Sequence, residues 1–266
     1  MEGKREKYAL ITGSASGMGR CYAEALAARG YAVLAVDRDE AANRTLCEAL
    51  QRTYGVSAEA MTLDLTAPNA VERLLSLVGT RQTELEVLIC NAGMLAFGGF
   101  AALETARIEQ LMMLHMTTHT HLVHRIGQQM HRQGRGYILW VSSATARMPY
   151  PSIALYAATK AYVRSMAVAL HDEWAQDGVV VTALCPGAVD TPFYSLGEGL
   201  RRALLRFGVQ LSPEEVVRRA LRALFRGRRC ITPGWAAKMM VGCGRLIPAW
   251  VIRRVVATQR VKRLLA

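Results

Sequence analysis

The chain of 266 residues has no apolar run of the roughly 18 residues that a membrane-spanning helix needs, although 52% of it is hydrophobic. That excludes a bilayer span and leaves ample material for a core. It has no internal repeat and no low-complexity tract. Its six cysteines form no C-x-x-C and no regular spacing, and Cys90 and Cys185 fall on or at the ends of strand-like apolar runs. Reduced, mostly buried thiols of a cytoplasmic protein account for them better than a disulfide framework or a metal site. The apolar stretch after the basic N-terminus is short and breaks at Gly13, so it reads as a strand and not as a signal peptide. Acidic residues almost vanish after residue 200. The last 66 residues hold 16 Lys and Arg against Glu214 and Glu215 alone, whereas the first 200 hold 17 basic and 19 acidic residues. The net charge of +12 therefore belongs to the C-terminal quarter. No nucleic-acid-binding motif accompanies it, and a nucleic-acid partner is not expected.

Short β-branched runs alternate with longer helical patterns. The runs are 8–12, 32–37, 58–64, 86–90, 137–142 and 179–185, with a short seventh at 229–232 to close the sheet edge. Helical patterns include 18–29, 39–53, 67–79, 104–132 and 153–176. Strands apolar at nearly every position are buried on both faces, as in a parallel sheet. Alternation of this kind predicts an α/β fold, a doubly wound and mostly parallel sheet with right-handed crossovers and a ligand at the C-terminal strand ends.

Every chemically suggestive motif falls at such an end. TGSASGMG (residues 12–19) follows the first strand, NAG (91–93) the fourth, Ser142 and Ser143 the fifth, and PGAVDT (186–191) the sixth, while YAATK (156–160) opens the next helix. Each is weak alone. In this order, over about residues 7–232, they resemble the short-chain dehydrogenase/reductase family, whose Rossmann-type sheet binds a nicotinamide dinucleotide. The resemblance implies an NAD(P)-dependent oxidoreductase.

Gly13 permits a tight turn, and Gly17 and Gly19 let the backbone approach a pyrophosphate at a helix N-terminus. Ser14, Ser16 and Met18 complete this loop as cofactor contacts. Asp37 ends the second strand, 18 residues past Gly19, where a carboxylate meets the adenosine ribose hydroxyls and repels a 2′-phosphate. NAD is favoured over NADP, with Arg38 the residue that speaks for the phosphate. The family implies that Asp64 and Leu65 contact adenine and that Asn91, Ala92 and Gly93 line the cofactor. It also implies that Pro186, Gly187, Val189 and Thr191 hold the nicotinamide carboxamide. Cys90 stands where many relatives have another Asn.

Tyr156 and Lys160 are four apart on one helix and share a face. A nearby ammonium lowers the phenol from its reference of about 10, so that Tyr156 exchanges a proton with an alcohol or carbonyl. Lys160 also holds ribose hydroxyls. Ser143, 13 residues before Tyr156, has the family spacing of the serine that anchors the substrate oxygen, with Ser142 as the alternative. The family usually has an Asn, holding a relay water, where this chain has His115. His115 either replaces that Asn or alters the relay.

Five of the six histidines (115, 119, 121, 124 and 131) crowd into that helix. At about 100° per residue they give no compact tetrahedral set. No metal is expected. The resemblance implies that this helix crosses a subunit interface, and the histidines read as interface or solvated residues of a homodimer or homotetramer.

The stretch at about 188–211 reads as a substrate lid rich in Phe, Tyr and Leu, which favours a hydrophobic secondary alcohol or ketone, steroid-like or long-chain acyl. Ser212, Pro213, Glu214 and Glu215 open a helix. The catalytic domain is expected over 1–234, followed by a helical, basic extension at 235–266. Val251, Ile252, Val255 and Val256 share one side of that extension, opposite Arg253 and Arg254. It fits a membrane-surface helix, a dimer cover or a lid, and its drifting apolar face favours packing on protein. The reading of the whole is a hydride-transferring oxidoreductase. The competing reading is an NAD-binding sensor or scaffold with little catalysis, supported by His115.

Overall fold

A computed structural model describes residues 6–148, 151–191, 202, 204–244, 250 and 254. Seven strands, β1 (Tyr8–Thr12), β2 (Ala32–Asp37), β3 (Ala58–Thr62), β4 (Leu85–Cys90), β5 (Gly136–Val141), β6 (Val179–Leu184) and β7 (Cys230–Ile231), make one sheet. Their order is β3-β2-β1-β4-β5-β6-β7 and every pairing is parallel. The helices are α1 (Gly17–Ala27), α2 (Glu40–Tyr54), α3 (Ala70–Val78), α4 (Thr105–Met112), α5 (His119–Gln133), α6 (Ala154–Glu173), α7 (Pro213–Phe225) and α8 (Trp235–Gly244).

Successive strand residues point to opposite faces, and helices cover both. Ala9, Ile11, Val33, Val87 and Leu139 pack with Leu26, Leu50 and Leu221 of α1, α2 and α7. Leu10, Leu34, Leu88, Ile138 and Val181 pack with Leu74, Ile126 and Val163 of α3, α5 and α6. Two-sided burial is why these strands read as unbroken apolar runs. The chain builds outward from β1 through β2 to β3, then returns to place β4 on the other side of β1. The reversal leaves a crevice at the C-terminal ends of β1 and β4, the position at which such sheets take ligands.

Several boundaries differ from the sequence expectation. Strand 58–64 stops at Thr62, because Asp64 Oδ1 turns the chain by accepting from the backbone N and Oγ1 of Thr66, both at 2.8 Å. The helix expected from 67 starts at Ala70, behind Asn69 in the left-handed region at φ 56°. The helix expected over 104–132 is two, α4 and α5, joined by a π-helical turn over Met113–Thr118. The period of apolar residues does not register one added residue per turn. α7 begins as expected, with Ser212 Oγ accepting from Glu215 N at 3.2 Å and Pro213 in its first turn.

The expectation of interface or solvated histidines fails for His115 and His119. His121 and His124 are exposed, but His115 and His119 are 0% and 2% exposed, set against the sheet. Among the described residues no three His, Cys, Asp or Glu converge as a metal site. No helix among them is long and apolar enough to cross a membrane. The two ends of the stretch expected as a lid are joined by a bridge between Val189 and Leu211, with Asp190 N donating to Leu211 O at 2.9 Å. The rest of the expected lid, 192–201 and 203, and nearly all of the extension beyond 244 lie outside the described residues.

Candidate active site

Thr12 ties the crevice together. It ends β1, fully buried, and its hydroxyl oxygen accepts from the backbone N–H of both Asn91 and Ala92 at 3.0 Å. Asn91 returns the contact, its Nδ2 donating to Thr12 O at 3.0 Å and Gly13 O at 3.1 Å. The loop after β1 and the loop after β4 are therefore one hydrogen-bonded unit. His119 Nε2 lies 3.2 Å from Thr12 Oγ1. Burial, then the nearby Lys160 charge, holds His119 neutral, its pKa lowered to about 3.

The glycine loop fits a pyrophosphate. A Cβ on Gly19 would sit 1.7 Å from Gly13 O, and Gly13 itself has φ +68°. Side chains are thus excluded where the loop folds onto the start of α1. That helix has no side-chain cap and no carboxylate in its first turn, so its free N–H groups present a positive end. Asp37 closes the far side. Its Oδ2 accepts from Ala15 N at 2.9 Å and its Oδ1 from Asp39 N at 3.1 Å. Acceptor capacity remains for a diol.

Lys160 crosses from α6 to the sheet. Its Nζ donates to Val141 O at the end of β5 at 3.0 Å, and Ser142 Oγ donates back to Lys160 O at 2.6 Å. The ammonium is buried with no carboxylate partner among the described residues. Burial, offset in part by Cys185, lowers its pKa from 10.5 to about 8. It sits 5.7 Å from the ring centroid of Tyr156. Ser143 faces the same space. Its oxygen accepts from Thr145 N at 3.2 Å and Thr145 Oγ1 at 2.9 Å. With both lone pairs engaged, its own O–H is left to donate. Ser142 also lines the cavity, but its O–H is spent on Lys160 O.

His115 does not face the cavity. Its Nε2 accepts from Met94 N at 3.0 Å and its Nδ1 lies 2.9 Å from Thr159 Oγ1, which donates to Tyr156 O at 2.9 Å. Accepting a backbone N–H at Nε2 fixes the proton on Nδ1. Burial first, then Lys160, lowers its pKa well below the ordinary value, so the ring is neutral. Both nitrogens are committed inside the protein.

These groups surround one cavity of about 450 Å³. Gly13, Ser16, Gly17, Met18, Asp37, Asp64, Leu65, Asn91, Ala92, Gly93, Ser143, Tyr156, Lys160, Pro186, Gly187, Val189 and Thr191 all line it. Ser14, Gly19 and His115 do not: Ser14 is buried with its Oγ donating to Asn43 at 2.8 Å, and Gly19 is covered by Gly13. Met94, Arg107 and Leu114 line it without having been singled out from the sequence. They sit on the loop and helix after NAG, where no motif marks them. Cys90 is buried, which pushes its thiol up.

A family model for short chain dehydrogenases matches residues 7–196. The chain is 32% identical to an uncharacterized oxidoreductase of Bacillus subtilis (strain 168) over 186 residues, 70% of this chain and 76% of that one. It is 28% identical to the 17-beta-hydroxysteroid dehydrogenase type 3 of Homo sapiens over 248 residues, 92% of this chain and 76% of that one. Among solved structures, a short-chain dehydrogenase from Sphingobium yanoikuyae in complex with NADPH superposes with a TM-score of 0.79 at 28% identity, covering 95% of this chain and 97% of that one.

Burial of Lys160 sets a stability test. A shift from 10.5 to about 8 corresponds to roughly 3 kcal/mol of unfavourable burial of the charge. Lys160→Met removes that cost and loses one hydrogen bond of about 1 kcal/mol. The variant should be at least as stable as wild type at pH 7. A lowered base costs stability in full below its folded pKa, and the cost disappears above its unfolded pKa. The wild-type deficit should therefore shrink between about pH 8 and 10.5. Urea unfolding across that range checks this, and a markedly less stable variant at pH 7 contradicts it.

Proposed function

The chain belongs to the short-chain dehydrogenase/reductase family, an enzyme of oxidoreductase type, and on that premise we propose that it acts with NAD(H) on a hydrophobic secondary alcohol or ketone, steroid-like or long-chain acyl. The observation that carries the proposal is the convergence of Ser143, Tyr156 and Lys160 on the cavity that the glycine loop and Asp37 also line. The loop N–H groups at the start of α1 hold the pyrophosphate, Asp37 the adenosine ribose, and Lys160 the second ribose. When bound, the nicotinamide supplies or accepts the hydride.

The protein's own part is proton handling and orientation. Ser143 donates its O–H to the substrate oxygen and fixes it beside Tyr156. Tyr156 gives its phenolic proton to that oxygen in reduction and takes it back in oxidation. Lys160, cationic below about pH 8, stabilises the phenolate as it forms. His115 acts as a positioning residue. It ties Met94, on the loop after β4, to Thr159 and through it to the backbone of Tyr156. A neutral ring with both nitrogens engaged supports a brace more than a water-holding relay. The scaffold alternative rested on this residue alone, and a His115 brace that leaves Ser143, Tyr156 and Lys160 on the cavity favours the enzyme.

A hydrophobic substrate is supported by Met94 and Leu114 in the lining and by Phe97 and Phe100, 55% and 60% exposed on the segment that continues from Met94. The human relative's name points the same way. Exposed Met112 and Met113 beside the π-helical turn support self-association through that face. Asp37 supports NAD, because a carboxylate that lines the cavity beside the glycine loop would repel a 2′-phosphate.

Tyr156→Phe removes the transferable proton and little volume. It should keep NADH binding and lose turnover of hydrophobic ketones by about a hundredfold or more. NADH fluorescence titration beside steady-state kinetics measures both, and activity within a few-fold of wild type contradicts the assignment. Asp37→Ala removes the charge that repels a 2′-phosphate while Arg38 remains. The NADPH:NADH efficiency ratio should rise by about tenfold. A wild type that already prefers NADPH overturns the reading of Asp37.

A further inference from the structure

Two thiols touch beside the cofactor cavity. Cys185 follows β6 directly and is fully buried, and Cys230 opens β7, the edge strand. Their sulfurs are 3.8 Å apart. The strands hold them in step, since Ala183 pairs with Cys230 and Cys185 N donates to Ile231 O at 2.8 Å. Residues two apart on a strand share a face, so both thiols leave the sheet on the same side.

Their surroundings differ. Arg147 Nη2 donates to Cys230 Sγ at 3.8 Å. Cys230 also lines a cavity of about 380 Å³ with Arg219, Arg222, Arg226, Arg228 and Lys238. Arg219 pairs with Glu215, but the other four make no ion pair among the described residues. Cys185 has no opening of its own. The contact with Cys185, then Arg147 and Arg164, hold the Cys230 thiol below its ordinary value against the effect of burial. The Cys185 thiol is pushed up by its bond to Cys230 and by burial. The other described thiols lack such support. Burial raises Cys47 and Cys90, and burial together with Glu214 raises Cys21 to about 12.

We propose that Cys185 and Cys230 are a peroxide-sensitive dithiol, with Cys230, beside Arg147 on the edge strand, the attacking sulfur and Cys185 the resolving one. The Cys230 thiolate attacks hydrogen peroxide. An S–O bond forms, the O–O bond breaks, and hydroxide leaves, giving a sulfenic acid. Cys185 then attacks that sulfur. The S–S bond forms, the S–O bond breaks, and the departing hydroxide takes the Cys185 proton as water. Two electrons pass from the thiols to the peroxide, and a dithiol reductant reverses the change. The sulfurs must close from 3.8 Å to about 2.05 Å, a movement that a two-residue edge strand accommodates more readily than a central one.

The bond would be felt at the cofactor turn, a consequence that rests on the function proposed above. Cys185 immediately precedes Pro186 and Gly187 in the cavity lining. Gly187 lies against Ala237 of α8, where a Cβ would come within 2.9 Å of the Ala237 Cβ. Cys230 in turn begins the segment that leads into α8.

The full chain treated with limiting hydrogen peroxide, alkylated under denaturing conditions and peptide-mapped, should yield a Cys185–Cys230 cross-linked peptide that dithiothreitol removes. Cys230 should react about tenfold faster than Cys21. In Cys185→Ser the sulfenic acid should persist on Cys230 and be trapped by dimedone, and in Cys230→Ser position 185 should stay unmodified. Oxidation that begins at another cysteine, or at Cys230 with no cross-link in wild type, overturns the proposal. NADH affinity of the oxidised protein should fall several-fold and return on reduction. If even the reduced protein binds no NADH, the cofactor reading fails while the cross-link is still read by mass.

Discussion

A lysine ammonium buried with no carboxylate partner among the described residues is the constraint around which the site is arranged. Lys160 is 5% exposed, and its Nζ donates to a backbone carbonyl, Val141 O. A charge in that position is costly and lowers the group's proton affinity. The cost is tolerated because β5 and α6 are latched in both directions, Lys160 Nζ to Val141 O and Ser142 Oγ to Lys160 O. The same uncompensated charge keeps His115 and His119 neutral, since burial and Lys160 act on both in one direction. Neutral rings then serve as fixed hydrogen-bonding parts, His119 against Thr12 and His115 between Met94 and Thr159.

The sheet supplies the rest of the preorganisation. Thr12 and Asn91 join the ends of β1 and β4 where the strand order reverses, so the glycine loop and the loop bearing Gly93 cannot move independently. The π-helical turn over Met113–Thr118 carries His115 into that junction. An unbroken α-helix would rotate residues after the turn by about 100° relative to those before it, and the pairing of His115 with both Met94 and Thr159 would be lost. The groups that meet the cavity are thus held by backbone carbonyls and amides of central strands, the stiffest parts of the fold.

Much of this was legible in the sequence. All seven strands were anticipated, because two-sided burial writes continuous apolar runs, and Gly13, Asp37, Asn91, Ser143, Tyr156 and Lys160, which line the cavity, were singled out from motif order. Less visible were features set by contacts distant in the chain. The environment of His115 and His119 could not be read from helical spacing, since burial against the sheet depends on which face of the helix turns inward and on one added residue per turn. Met94, Arg107 and Leu114 reach the cavity through loop geometry that no spacing encodes. Proximity of Cys185 to Cys230 follows from the β6–β7 register, 45 residues apart along the chain.

The measurement closest to the centre of this account is a titration of the lysine side chains by NMR. The chain has five lysines, so one Lys160→Met spectrum identifies the signal. A single lysine signal, absent from the variant, should titrate near pH 8. If the signal lost in Lys160→Met titrates at its ordinary 10.5 instead, Lys160 is not the desolvated ammonium on which the site depends, and the account of Tyr156 and the two neutral histidines falls with it.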